Sequence, residues 1–184
     1  MVLVTGCSQG TTSPTTKVLV VNGYTIEAGA DLVDANLVDA NLVDANLSYA
    51  NLEGATLRDA DLQGATLAGA KLGNANLYGA NLVGANLGGA DLRVADLYGA
   101  NLVGANLINA NLRYANLSRA DLARADLSYA NLEGANLNGA NLRDANLTNA
   151  NLNRANLINA DLSGANFEGT NLAGAKMPDG TIYP

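Results

Sequence analysis

Histidine and tryptophan are absent from this chain, and cysteine and phenylalanine occur once each. Without histidine, general acid–base catalysis falls to carboxylates, lysine, tyrosine or the single thiol. Histidine-based zinc sites and thiolate clusters are excluded. A lone cysteine forbids an internal disulfide, so no disulfide framework holds the fold. Charged residues are only 15% of the chain, and no apolar run approaches the roughly 18 residues of a transmembrane helix. What is abundant is Ala, Leu and Asn, which fill 89 of the 184 positions. The length suits a single domain.

Those three residues are arranged as an array. From Ala30 the chain reads ADLVD-ANLVD-ANLVD-ANLSY-ANLEG and keeps that register to Lys176. Leu occupies every fifth position from Leu32 to Leu162, and Phe167, Leu172 and Met177 continue the series, giving 30 units without an insertion. Ala stands two residues before each centre except Leu172, where Thr170 takes its place, and the residue just before the centre is Asn or Asp in 26 of the 30 units. A period of five suits neither regular element. On a helix each step turns the side chain by about 140°, so the Leu residues spiral around it. On a strand an odd period sends successive Leu to opposite faces. The conflict disappears if the chain turns a corner every five residues and points Ala and Leu inward from each short side.

The corner chemistry agrees. Two residues after each centre stands Gly, Asn or Asp in 23 of 30 units, residues that tolerate the positive φ of a type II turn. The exceptions are Tyr49, Val94, Tyr114, Arg119, Arg124, Tyr129 and Arg154, and their corners are expected to use another turn geometry.

On these residues the chain resembles the pentapeptide repeat family, whose motif is A(D/N)LXX. The match covers residues 30–177. The resemblance implies an all-β fold, a right-handed quadrilateral β-helix with 20 residues per coil, and about seven and a half coils. At about 4.8 Å per coil the rod is roughly 36 Å long. It also implies a bacterial, cyanobacterial-type source.

An array needs covered ends, because terminal coils expose apolar core and strand edges. Residues 17–29 are expected to form an N-terminal β cap, in which Val18–Val21 and Tyr24–Ile26 flank an Asn22-Gly23 turn. Residues 178–184 form a tail able to fold back over the last coil. In the family, terminal coils also serve as dimer surfaces, so a homodimer through a terminal coil is a second reading. Residues 1–16 have leader and linker composition and are expected to be disordered. Within them, Val4-Thr5-Gly6-Cys7 followed by a Ser/Thr tether resembles a bacterial lipobox, which implies lipidation of Cys7 and an exported, membrane-tethered protein. That reading requires a start upstream, because a signal peptide needs an apolar stretch of about 7–15 residues. The alternative is a free thiol in the leader of a cytoplasmic protein.

Function falls to the outward positions, where side chains 20 apart share a face. One face stacks Tyr78 on Tyr98, and another stacks Arg93 on Arg113 with Tyr114 beside them. Arg119 and Arg124 follow on successive corners. These seven residues are the candidate contacts for a protein partner, since Tyr and Arg are enriched at interface hot spots. A third face is a smooth strip of Val43, Val83 and Val103 with glycines. The Asn and Asp columns read as hydrogen-bonding ladders between turns and coils.

Charge and geometry weigh on the alternatives. Of the net −7, residues 27–61 carry a balance of −7 and residues 62–184 only −1, with Lys17 adding +1. Some family members mimic DNA and bind DNA gyrase, which needs a long acidic line in place of phosphates. Here the acidity is a belt at one end. Inhibition or protection of a DNA-binding enzyme such as gyrase is therefore the runner-up function. Direct nucleic-acid binding is disfavoured by the acidic pI of about 4.3 and the lack of a basic stripe. Carboxylates aligned along one face, Asp61, Asp121 and Asp161, fall roughly 10–14 Å apart at two or three coils, beyond a glycosidase-like pair. A convex rod is also expected to offer no pocket. No catalytic residue, metal site or cofactor is implied. The expectation is a non-enzymatic scaffold that binds a protein partner through its faces or ends.

Overall fold

A computed structural model describes residues 19–184; residues 1–18, including Cys7 and the expected disordered leader, lie outside the described residues. The chain forms the right-handed quadrilateral β-helix with 20 residues per coil. Parallel bridges pair Asp31 with Asn51, Asn36 with Thr56, Asn41 with Asp61 and Asn46 with Thr66, and so on to Asn156 with Lys176. The backbone explains the period. The N–H of Leu32 donates to the carbonyl of Asn51 at 2.7 Å, and the N–H of Asn51 donates back to Ala30 at 2.9 Å. The Asp34 amide reaches Glu53 at 2.9 Å, and the Ala35 amide closes the turn on Leu32 at 3.1 Å. Every unit between the terminal coils repeats this set, so nearly all of their backbone polar groups are met from above and below.

The core is a stack of Leu and Ala. Each Leu from Leu32 to Leu157 is at most 2% exposed. Burial of one such side chain is worth roughly 1.5–3 kcal/mol, and Ala stands where the backbone comes too close to the axis for more. Burial fades at the C-terminal end, where Leu162, Phe167, Leu172 and Met177 are only half-buried.

The ends differ. The antiparallel hairpin of β1 (Leu19–Val21) and β2 (Tyr24–Ile26) packs Ile26 into the core, with Val21 and Tyr24 against it. The Tyr24 hydroxyl accepts the Asn36 amide at 3.3 Å, an N–H with no coil beneath it. At the other end the chain reverses after Pro178. Ile182 pairs antiparallel with Lys176, and the Tyr183 amide donates to Ala175 at 2.8 Å. The Gly174 amide in turn donates to Tyr183 at 2.9 Å and the Met177 amide to Thr181 at 2.8 Å, so the tail is bonded to the last units.

One expectation fails. Tyr49, Val94, Tyr114, Arg119, Arg124, Tyr129 and Arg154 use the same corner as the glycines, with φ between 57° and 60°. Every corner from Asp34 to Gly174 has positive φ. The cause is the coil-to-coil bond made at the corner itself: the Val94 amide donates to Arg113 at 3.0 Å and the Tyr49 amide to Ala68 at 2.9 Å. Losing that bond and the register with it costs more than the roughly 1–2 kcal/mol of a left-handed residue.

Two outcomes follow. Leu102→Asp places a carboxylate among fully buried Leu side chains and is expected to abolish the cooperative circular dichroism melt, whereas Leu102→Ala lowers stability by about 2–5 kcal/mol. Val94→Gly relieves a β-branched residue at φ 60° and is expected to raise stability by about 1 kcal/mol in chemical denaturation.

Candidate functional site

The 20-residue register sets the outward residues in columns. In one column Tyr78 lies on Tyr98 with ring centroids 5.3 Å apart and planes within 8°. The pair is bracketed by cations. The Arg58 guanidinium stands 5.7 Å from the Tyr78 centroid, and that of Arg119 stands 5.8 Å from the Tyr98 centroid. Four residues from successive coils thus form one run, Arg58–Tyr78–Tyr98–Arg119. Each cation–π contact at such exposure is worth about 0.5–1 kcal/mol. Tyr78 remains 42% exposed, so the stack is open to a partner. Arg58 also holds Asp59 at 3.0 Å, while Arg119 has no carboxylate at ion-pair distance among the described residues.

The seven residues expected as contacts are not one patch. Tyr78, Tyr98 and Arg119 share the aromatic run. Arg93, Arg113 and Tyr114 lie on the face of Leu92 and Leu112, and Arg124 sits at a separate exposed corner. Arg58 was missed, although its position 20 residues before Tyr78 was the available signal.

The arginines of the second face are neutralised. Arg93 grips Asp91, with Nε 2.8 Å from Oδ1 and Nη2 2.6 Å from Oδ2. Arg113 meets Glu133 at 3.1 Å across one coil, and its guanidinium lies 5.2 Å from the Tyr114 ring. The hydrogen bond from Arg93 holds the Asp91 carboxyl below its ordinary 3.8, against a smaller effect of burial. Hydrogen bonding to Glu133 raises Arg113 in the same way.

The Asn and Asp columns bond locally and between coils. Asp126 Oδ1 accepts the Ser128 amide at 3.0 Å, an Asx turn repeated in most units. The Asn81 amide donates to Asp61 at 2.8 Å and that of Asn141 to Asp121 at 2.9 Å. Two of the aligned carboxylates are therefore tied into the ladder.

The rod is not featureless, contrary to the expectation of no pocket. Gly73 interrupts a column between Glu53 and Arg93 and opens a notch. A hollow of about 230 Å³ is lined by Glu53, Lys71, Gly73, Asp91 and Arg93. It adjoins one of about 320 Å³ that runs on to Val94, Arg113 and Tyr114. A missing side chain, which convexity arguments ignore, makes it. Among the described residues no group of acidic or thiol side chains is disposed to hold a metal ion, and no helix is long and apolar enough to cross a membrane.

A solenoid of stacked five-residue units, most of them closed by an Asx-capped corner, defines the class of protein. The chain belongs to the pentapeptide repeat family: the model of that family, described as pentapeptide repeats, matches eight copies over residues 28–59, 60–99, 100–139 and 140–178. Among solved structures it is similar to HetL, a pentapeptide repeat protein involved in heterocyst differentiation regulation from the cyanobacterium Nostoc sp. strain PCC 7120. The two are 41% identical over 85% of this chain and 78% of that one, with a TM-score of 0.50. It is also similar to Rfr23 from the cyanobacterium Cyanothece 51142, at 40% identity over 54% of this chain and 64% of that one, with a TM-score of 0.48. A pentapeptide repeat protein of the Arabidopsis thaliana thylakoid lumen is 32% identical over 63% of this chain and 70% of that one, with a TM-score of 0.38. No curated protein matches.

The depressed Asp91 makes a prediction. Its contribution to stability is present above the ordinary aspartate range and is lost as pH falls through its lowered folded value. Arg93→Gln is expected to raise the Asp91 titration midpoint toward 3.8, read by carboxyl-carbon NMR.

Proposed function

We propose that this protein is a non-enzymatic scaffold that docks a protein partner on the Arg58–Tyr78–Tyr98–Arg119 run. The observation that carries the reading is the stacked tyrosine pair, with Tyr78 exposed and Tyr98 half-buried, bracketed by two guanidiniums. Flat aromatic area with charged, hydrogen-bonding rims is the chemistry of interface hot spots, and a rigid rod presents it at little entropic cost. The partner surface that complements it offers carboxylates to Arg119 and apolar area to the rings. A regulatory partner is in keeping with HetL, which is described as involved in heterocyst differentiation regulation.

Arg93 and Arg113 contribute less to this reading, because each is already paired with a carboxylate. Mimicry of DNA has weaker support. The acidic belt stops after two coils, and the exposed arginines beyond it oppose a phosphate-reading surface.

Affinity capture from the native organism tests the proposal. The Tyr78→Ala/Tyr98→Ala variant is expected to lose the partner retained by wild type, while Arg93→Ala/Arg113→Ala keeps it. Retention by the tyrosine variant would sink the assignment. In a supercoiling assay, micromolar protein is expected neither to inhibit gyrase nor to protect it from drug.

A further inference from the structure

Three departures from the repeat coincide at the Gly73 notch. The first is Lys71, which stands where 26 of 30 units carry Asn or Asp. In most units that side chain accepts the amide two residues on, as Asp91 does for Arg93 at 3.2 Å. Lys71 has no acceptor, and the Gly73 N–H has no partner among the described residues. The second is Gly73 itself, a buried floor without a side chain. The third is charge. Arg93 is neutralised by Asp91, but Glu53 and Lys71 have no ion-pair partner within 4.0 Å among the described residues.

We propose that the notch binds a small zwitterion, a free α-amino acid. Its carboxylate takes the Gly73 N–H and the Lys71 ammonium, and its ammonium meets Glu53. The two unpaired charges select for both signs in one molecule. A simple anion would crowd Glu53, whose Oε1 lies only 4.0 Å from the position a Gly73 Cβ would take. A simple cation would leave the Gly73 amide and Lys71 unanswered and would face Arg93. In a zwitterion the charges are a few ångströms apart, on the scale of the notch. The adjoining hollow of about 320 Å³, with Val94 and Tyr114, takes the side chain. Because the site is open to water, affinity is on the order of millimolar.

The test follows the Gly73 amide by NMR while the full chain is titrated with glycine and with leucine. A saturable shift is expected. Lys71→Met and Glu53→Gln are each expected to weaken it at least about tenfold. Gly73→Ala is expected to abolish binding while leaving the melt unchanged, since its Cβ would lie no closer than 3.9 Å to any neighbour at a φ open to alanine. N-acetylglycine and ethylamine, which carry one charge each, are expected to bind at least about tenfold more weakly than glycine. The proposal is overturned if the wild-type amide shows no saturable shift up to about 50 mM amino acid. It is equally overturned if the singly charged compounds act as well as glycine, a result that does not depend on any variant folding.

Discussion

The coil-to-coil hydrogen-bond ladder is the constraint on which the rest of this molecule depends. A Leu amide donates to the carbonyl 19 residues on, and the following coil donates back to the Ala two residues before that Leu. These bonds run at 2.6–3.0 Å along the rod. They fix each residue beneath the residue 20 positions later. A single residue inserted without a bulge would move every later Leu off its inward position, because the Leu and Ala columns each recur every fifth residue. The composition, the buried column and the stacked surface are consequences of that one register.

The ladder overrides local preference where the two conflict. Val94 is β-branched, yet it adopts φ 60° because its amide must reach Arg113. Tyr114 does the same, and its ring then leans over the next coil, so a Cβ at Gly134 would come within 2.5 Å of it. Gly134 leaves room for that ring, and its φ of 65° costs a glycine nothing. Four of the seven large corner residues, Tyr49, Tyr114, Arg119 and Arg154, have a glycine 20 positions later, so a side chain leaning over one corner is met by a small residue at the next.

Nearly all of the fold was legible in the sequence, because the repeat writes its own period. Leu every fifth residue, Ala two before it and Asn or Asp one before it specify the inward columns and the Asx turns. The corner geometry was misread at Tyr49, Val94 and the other five exceptions, since turn propensity is a property of a residue and the corner belongs to the ladder. The candidate site was legible in part. Stacking of Tyr78 on Tyr98 follows from a spacing of 20. The guanidinium of Arg119 turning to Tyr98 does not, because a corner residue can lean toward either adjoining side. The notch was missed for a different reason. Motif reading attends to the residues present, and this feature is made by a side chain that Gly73 lacks and an acceptor that Lys71 withholds.

The same logic indicates where such a rod stores information. Inward columns are committed to packing, and the Asn and Asp columns to Asx turns and cross-coil bonds such as that of Asn116 with Asp96 at 2.8 Å. A residue carries function only where it departs from what the ladder needs. Lys71 departs within a structural column and frees a backbone donor. Tyr78 and Tyr98 occupy a variable column in which the coil spacing alone holds their rings parallel. Both features are rigid because the scaffold beneath them is periodic, so neither depends on a flexible loop for its shape. Side chains on such a lattice meet a ligand with most of their ordering cost already met by the ladder.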